Sequence, residues 1–127
     1  MEVPYANLNR IYQNYKKELD KAVHDCIDNS WFIKGPKVEE FEKNLSEYCN
    51  TPAVGVSSGT SALLLAYECL GLQPGDKIVI PSFTFISTPE MASKLGLEIV
   101  WADCNKENYT INTDDLAGIL SSTKGIK

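Results

Sequence analysis

The sequence predicts an α/β fold in which helices surround a mostly parallel sheet, and three observations carry that prediction. Two short β-branched runs, Lys77–Ile80 and Glu98–Ala102, are apolar after their charged first residues, as strands buried on both faces are. Helix-patterned segments of about a dozen residues separate the extended runs, which is the rhythm of βαβ units. Gly71 and Gly96 stand where the helical patterns stop, the place where a left-handed residue ends a helix.

The elements follow in order. From Arg10 to Asp28 the residues Ile11, Tyr15, Leu19, Ala22, Val23, Cys26 and Ile27 recur at helical spacing, so one amphipathic helix is expected there. Asn29 and Ser30 break it, and Trp31 to Gly35 form a loop. Pro36 suits the first turn of a second helix, where a missing N–H costs nothing. That helix is expected to run to about Tyr48, with Phe41, Leu45 and Tyr48 on one face. Ala53–Val56 is a short apolar run, expected to be the first strand. A helix rich in Ala and Leu follows to Leu70, and Pro74-Gly75-Asp76 reads as a turn into the Lys77–Ile80 strand.

After Pro81, Thr88 to Leu95 is expected to be helical and Glu98–Ala102 to be a third strand. Tyr109-Thr110-Ile111 reads as extended. Thr113 then caps a further helix through its hydroxyl. Thr123–Lys127 is where another strand is expected to begin. The organisation is therefore an N-terminal helical segment, residues 1–50, and an incomplete α/β domain, residues 51–127, of a longer fold.

Composition narrows the function classes. The chain is 43% hydrophobic and 23% charged, which belongs to a soluble globular protein rather than a disordered tail. Its net charge of −5 argues against nucleic-acid binding, which needs clustered Lys and Arg to displace counterions. The apolar stretches are too short to span a bilayer. Met1 to Arg10 lacks the apolar core of a secretory signal, so the expected location is the cytoplasm. Cys26, Cys49, Cys69 and Cys104 contain no C-x-x-C pair and His24 is the only histidine, so no metal site is expected.

Two segments carry chemistry. In Val56-Ser57-Ser58-Gly59-Thr60-Ser61-Ala62-Leu63 a strand runs through small polar residues straight into a helix. The first amides of a helix lack intrahelical partners and sit at the positive end of its dipole, so this turn can hold a phosphate. Gly59 lets the backbone approach, and the Thr60 and Ser61 hydroxyls add donors. Ser58 alone would be an ordinary helix cap, which leaves that reading open. There is no G-x-G-x-x-G and no G-x-x-x-x-G-K-[ST], which sets aside dinucleotide and ATP motifs.

The second segment is Pro81-Ser82-Phe83-Thr84-Phe85-Ile86-Ser87-Thr88, beyond the carboxyl end of a strand, where open α/β sheets bind ligands. An aromatic ring there can stack on a flat heterocycle; both phenylalanines could equally belong to the core. His24 and the cluster Glu39, Glu40 and Glu42 read as helix surface.

Taken with Trp31-Phe32-Ile33-Lys34-Gly35-Pro36, Phe41-Glu42, Leu70-Gly71-Leu72-Gln73-Pro74-Gly75-Asp76, Leu95-Gly96 and Asp103, these blocks resemble the DegT/DnrJ/EryC1/StrS aminotransferases along essentially the whole chain. The resemblance implies the N-terminal part of the aspartate-aminotransferase-like, fold type I large domain of pyridoxal-phosphate (PLP) enzymes. It implies that Gly59, Thr60 and Ser61 bind the PLP phosphate and that Phe85 stacks on its ring. It also places Trp31, Phe32 and Lys34 near the sugar nucleotide and gives Asp103 a structural or orienting role. The family moves an amino group, commonly from glutamate, to a keto sugar nucleotide and works as homodimers. Its Schiff-base lysine and the aspartate paired with the ring nitrogen are expected downstream of residue 127, so no catalytic residue is assigned here. A sugar dehydratase of the same family and a non-catalytic binding module are the alternatives.

Overall fold

A computed structural model describes residues 4–127, and the chain divides into two compact units, residues up to Gly55 and Val56–Lys127. The first three residues of the expected helical segment lie outside the described residues.

The first unit is helical. Helix α1 spans Leu8–Asn14 and α2 spans Lys16–Asp28. The single helix expected from Arg10 to Asp28 is thus two, and it begins earlier because the Asn7 side chain accepts the Arg10 amide at 2.9 Å. The break lies at Tyr15, whose ψ of 16° is not helical and whose amide bonds back three residues to Tyr12. A side-chain cluster bridges the break: the Tyr12 hydroxyl donates to Asp20 at 2.8 Å, and Lys16 donates to both Tyr12 and Asp20. Asp20 is held below the usual carboxylate range, chiefly by the Lys16 hydrogen bond and then by Tyr12. Helix α3 spans Pro36–Cys49 with its proline in the first turn, as expected.

The run Ala53–Val56 is not a strand. Its amides go to side chains of α3 instead: Ala53 N–H bonds the Ser46 hydroxyl at 2.9 Å and Gly55 N–H bonds Glu42 Oε1 at 2.7 Å. Val54 accordingly stays 80% exposed.

The second unit holds the sheet. Helix α4 (Gly59–Cys69) precedes strand β1 (Lys77–Pro81), and α5 (Ser87–Lys94) connects it to β2 (Glu98–Ala102). The strands are parallel and in register from Lys77 opposite Glu98 to Pro81 opposite Ala102, with the two charged residues 3.7 Å apart. Ile78, Ile80, Ala92 and Leu97 form the core, and Tyr67, Leu72, Leu95 and Ile99 pack on it. Ile80, only 2% exposed, is its largest fully buried side chain; sealing one such residue from water is worth about 1.5–3 kcal/mol.

Helix α6 spans Thr113–Ser122. Its cap is Asn112 and not Thr113: the Asn112 side chain accepts the amides of Asp114 and Asp115, leaving Thr113 as the first helical residue. Nor is Tyr109-Thr110-Ile111 extended throughout. Tyr109 has a φ of +60°, and Ile111 alone bridges Cys104. Beyond α6, Ile126 bridges Lys77 in parallel, and the Lys127 amide donates to the Lys77 carbonyl. No helix among the described residues is long and apolar enough to cross a membrane.

Candidate functional site

The start of α4 combines a filled cap with open amides. Ser58 is extended, with φ −165° and ψ 164°, so its hydroxyl accepts the Ser61 amide at 3.1 Å while its carbonyl accepts Ala62 N–H. Among the described residues, the amides of Gly59 and Thr60 have no acceptor. They carry the positive end of the helix dipole into solvent. The Ser61 hydroxyl lies 2.9 Å from that of Ser57 and 3.1 Å from that of Ser58. A Cβ built on Gly59 would meet nothing within 4 Å, so internal packing does not require glycine there.

The second segment leaves the carboxyl end of β1, where the Ser82 amide donates to the Ala102 carbonyl of β2. Phe85 is 74% exposed and Phe83 is exposed as well, so neither belongs to the core. Phe83 instead lies 5.3 Å from the Tyr109 ring. The Thr84 and Thr88 hydroxyls meet at 3.2 Å on either side of Phe85, and the Thr88 amide bonds the Phe85 carbonyl.

The two segments meet. Gly59, Thr60, Ala62, Leu63 and Ala66 form one wall of a cleft of about 640 Å³, and Phe85, Ser87 and Thr88 form the other. The structure thus brings Gly59, Thr60 and Phe85 together, while Ser61, next in the helix, has its amide committed to Ser58 and is not among the lining residues. Ser87, buried to 6% exposure, and Thr88 are wall residues that the sequence reading missed; their place just past the aromatic, opening a helix, was the available signal.

A second hollow of about 540 Å³ lies among Tyr67, Leu72, Ile78, Ile80, Leu116 and Leu120. Its lining is mostly aliphatic. Asp103 has a positioning role by geometry: its carboxylate accepts the Cys104 amide at 2.8 Å, and its own amide donates to Asp115 at 2.7 Å.

Trp31, Phe32 and Lys34 belong to the helical unit. They form the link between α2 and α3, in which the Trp31 amide bonds the Cys26 carbonyl and Lys34 adopts φ +56°. The cysteines are unpaired, and among the described residues no group of three or more His, Cys, Asp or Glu could hold a metal ion.

A helix terminus with open amides facing an exposed aromatic ring, beyond the end of a parallel strand, suits a flat ligand carrying a phosphate. The profile of the DegT/DnrJ/EryC1/StrS aminotransferase family matches residues 13–126. The chain belongs to that family. It is 35% identical over 111 residues to the dTDP-3-amino-3,4,6-trideoxy-alpha-D-glucose transaminase of Streptomyces venezuelae, an alignment covering 87% of this chain and 29% of that protein.

Among solved structures, it superposes on S. venezuelae DesV in complex with a ketimine intermediate with a TM-score of 0.89 at 32% identity. That match covers 98% of this chain and 33% of DesV. The E. coli GDP-4-keto-6-deoxy-D-mannose-3-dehydratase with bound hydrated PLP gives a TM-score of 0.77 at 26% identity, over 84% of this chain and 29% of that one. The chain spans about a third of the length of these relatives. The expected fold is therefore borne out as the N-terminal part of the fold type I large domain.

Proposed function

We propose that the protein carrying this chain is a PLP-dependent aminotransferase that moves an amino group from glutamate to a keto sugar attached to a nucleotide. The observation that supports this most is the pair of open amides at Gly59 and Thr60 across a cleft from Phe85, in a chain of this family. When bound, the cofactor supplies the group that carries nitrogen and a ring that draws off electrons.

The chain's own residues bind and orient. The Gly59 and Thr60 amides, with the Thr60 and Ser61 hydroxyls, hold the phosphate dianion. Phe85 covers one face of the ring and shields it from water. Trp31, Phe32 and Lys34 contact the sugar nucleotide; an aromatic pair and an ammonium suit a base and a diphosphate. The lysine that anchors the cofactor belongs to the remainder of the protein, and the protein works as a cytoplasmic homodimer. The exposed apolar side chains Ile11, Val23, Ile27 and Phe41 of the helical unit support a partner there.

This chain alone is inactive in this reading. An anion at a helix terminus gains about 0.3–2 kcal/mol and stacking about 0.5–1.5 kcal/mol, against an association cost of about 4–15 kcal/mol. The test uses the full-length protein. Loaded with PLP, it is expected to show visible absorbance that borohydride removes, and to form 2-oxoglutarate from glutamate when given a keto sugar nucleotide. Absence of the absorbance, with cofactor supplied, defeats the proposal. The likeness to the E. coli dehydratase favours a second reading, PLP-dependent sugar dehydration. Absorbance with a deoxygenated keto sugar and released ammonia in place of an amino sugar selects it, glutamate being converted to 2-oxoglutarate in both cases.

A further inference from the structure

The cleft has two walls from separate stretches of chain, and something must hold them at a working distance. Helix α4 packs on α5. Among the described residues, one hydrogen bond joins α4 to the segment 82–95: the Tyr67 hydroxyl donates to the Thr88 carbonyl at 3.4 Å. Tyr67 is well placed to act as a fixed post, because its ring packs on the core of Ile78, Ile80, Ala92 and Leu97. Thr88 is held at three points. Its carbonyl takes Tyr67, its amide bonds the Phe85 carbonyl at 3.0 Å, and its hydroxyl meets that of Thr84 at 3.2 Å. Phe85 lies between Thr84 and Thr88, so whatever fixes Thr88 fixes the base of the aromatic ring.

We propose that Tyr67 is a positioning residue for the cofactor: through Thr88 it sets the spacing between Phe85 and the Gly59–Thr60 amides. This rests on the reading of the cleft as a PLP seat. Tyr67 does not itself line the cleft and acts only through the backbone of the wall residue Thr88. The Tyr67→Phe change keeps the ring that packs on the core and removes the hydroxyl.

The experiment compares full-length wild type and Tyr67→Phe, using PLP itself as probe. Affinity is read by equilibrium dialysis, ring geometry by the visible circular dichroism per bound PLP, and fold by apo-protein melting. The expected result is affinity about 3- to 10-fold weaker, the range set by one net hydrogen bond, with a reduced dichroic band. Wild type that binds no PLP defeats the functional proposal and this inference with it. Wild type that binds, with a variant equal in affinity and dichroism, overturns the inference even if melting has dropped, since Tyr67 is then only structural. Should Tyr67→Phe not fold, Thr84→Val cuts the same chain at its other end. Unchanged affinity and dichroism in that variant overturn the inference equally.

Discussion

Replacing Gly59 by alanine separates a glycine kept for folding from one kept for a ligand, because the two readings differ in sign. The added Cβ meets no atom within 4 Å, and Gly59 is not among the residues with positive φ. Alanine therefore introduces no clash or backbone strain in the apo-protein. It restricts the unfolded chain and favours helix, a stabilisation of about 0.4–1 kcal/mol at a compatible position. Apo-protein melting is expected to stay level or rise. The cofactor responds the other way. Gly59 lines the cleft and its amide is open, so a methyl group there keeps a phosphate from approaching the helix end. Loss of a helix-terminus anion contact of about 0.3–2 kcal/mol weakens PLP binding by about 2- to 30-fold. Scanning fluorimetry of the apo-protein and PLP dialysis on the full-length protein provide both numbers. Unchanged PLP affinity, or a melting point lowered by several degrees, refutes the reasoning.

Three further outcomes follow from the same geometry. Phe85→Ala is expected to alter stability by less than about 0.5 kcal/mol, since the ring is mostly exposed, yet to weaken PLP binding about 2- to 10-fold; Phe85→Trp, titrated alongside, should keep the affinity. Ser58→Ala removes the α4 cap and should cost about 0.5–2 kcal/mol in urea unfolding, with Ser58→Asp restoring most of it. Burial pushes the Tyr67 phenol above its ordinary 10.0, so the folded state holds that proton more tightly than the unfolded chain. Its contribution is complete below about pH 10 and is lost as pH rises through the folded value. Urea unfolding of wild type from pH 8 to 11 should therefore weaken at the alkaline end more steeply than that of Tyr67→Phe.

What the sequence made legible is what local chemistry decides. Pro36 in a first turn, Gly71 and Gly96 past helix ends with φ of +71° each, and the apolar runs of β1 and β2 each depend on a few neighbouring residues. The misread places depend on competition. Ala53–Val56 has the composition of a strand, but Ser46 and Glu42 claim its amides from α3. Asn112 outcompetes Thr113 as a cap because its side chain accepts two amides at once. The Tyr15 break has no glycine or proline to announce it; the Tyr12, Lys16 and Asp20 cluster forms only when the turns pack together.

The same division runs through the cleft. Open amides at a helix start are a local device: small residues running into a helix generate them wherever they occur together, and so Gly59 and Thr60 could be named from spacing. A ring platform is half local, since Phe85 is recognisable only once β1 is known to end just before it at Pro81. The separation between them is not local at all. Across it run the packing of α4 on α5 and a hydrogen bond between residues 21 apart, made to a backbone carbonyl that any amino acid would offer. No residue type at position 88 signals that contact, and a tyrosine at position 67 is indistinguishable by pattern from an ordinary half-buried helix residue. Affinity for a rigid, flat ligand depends steeply on that separation, because dispersion contacts fall away within about an ångström of the optimum. The residues that line the cleft on either side can therefore be read in one dimension, while the one proposed to set their spacing emerges only from the packed structure.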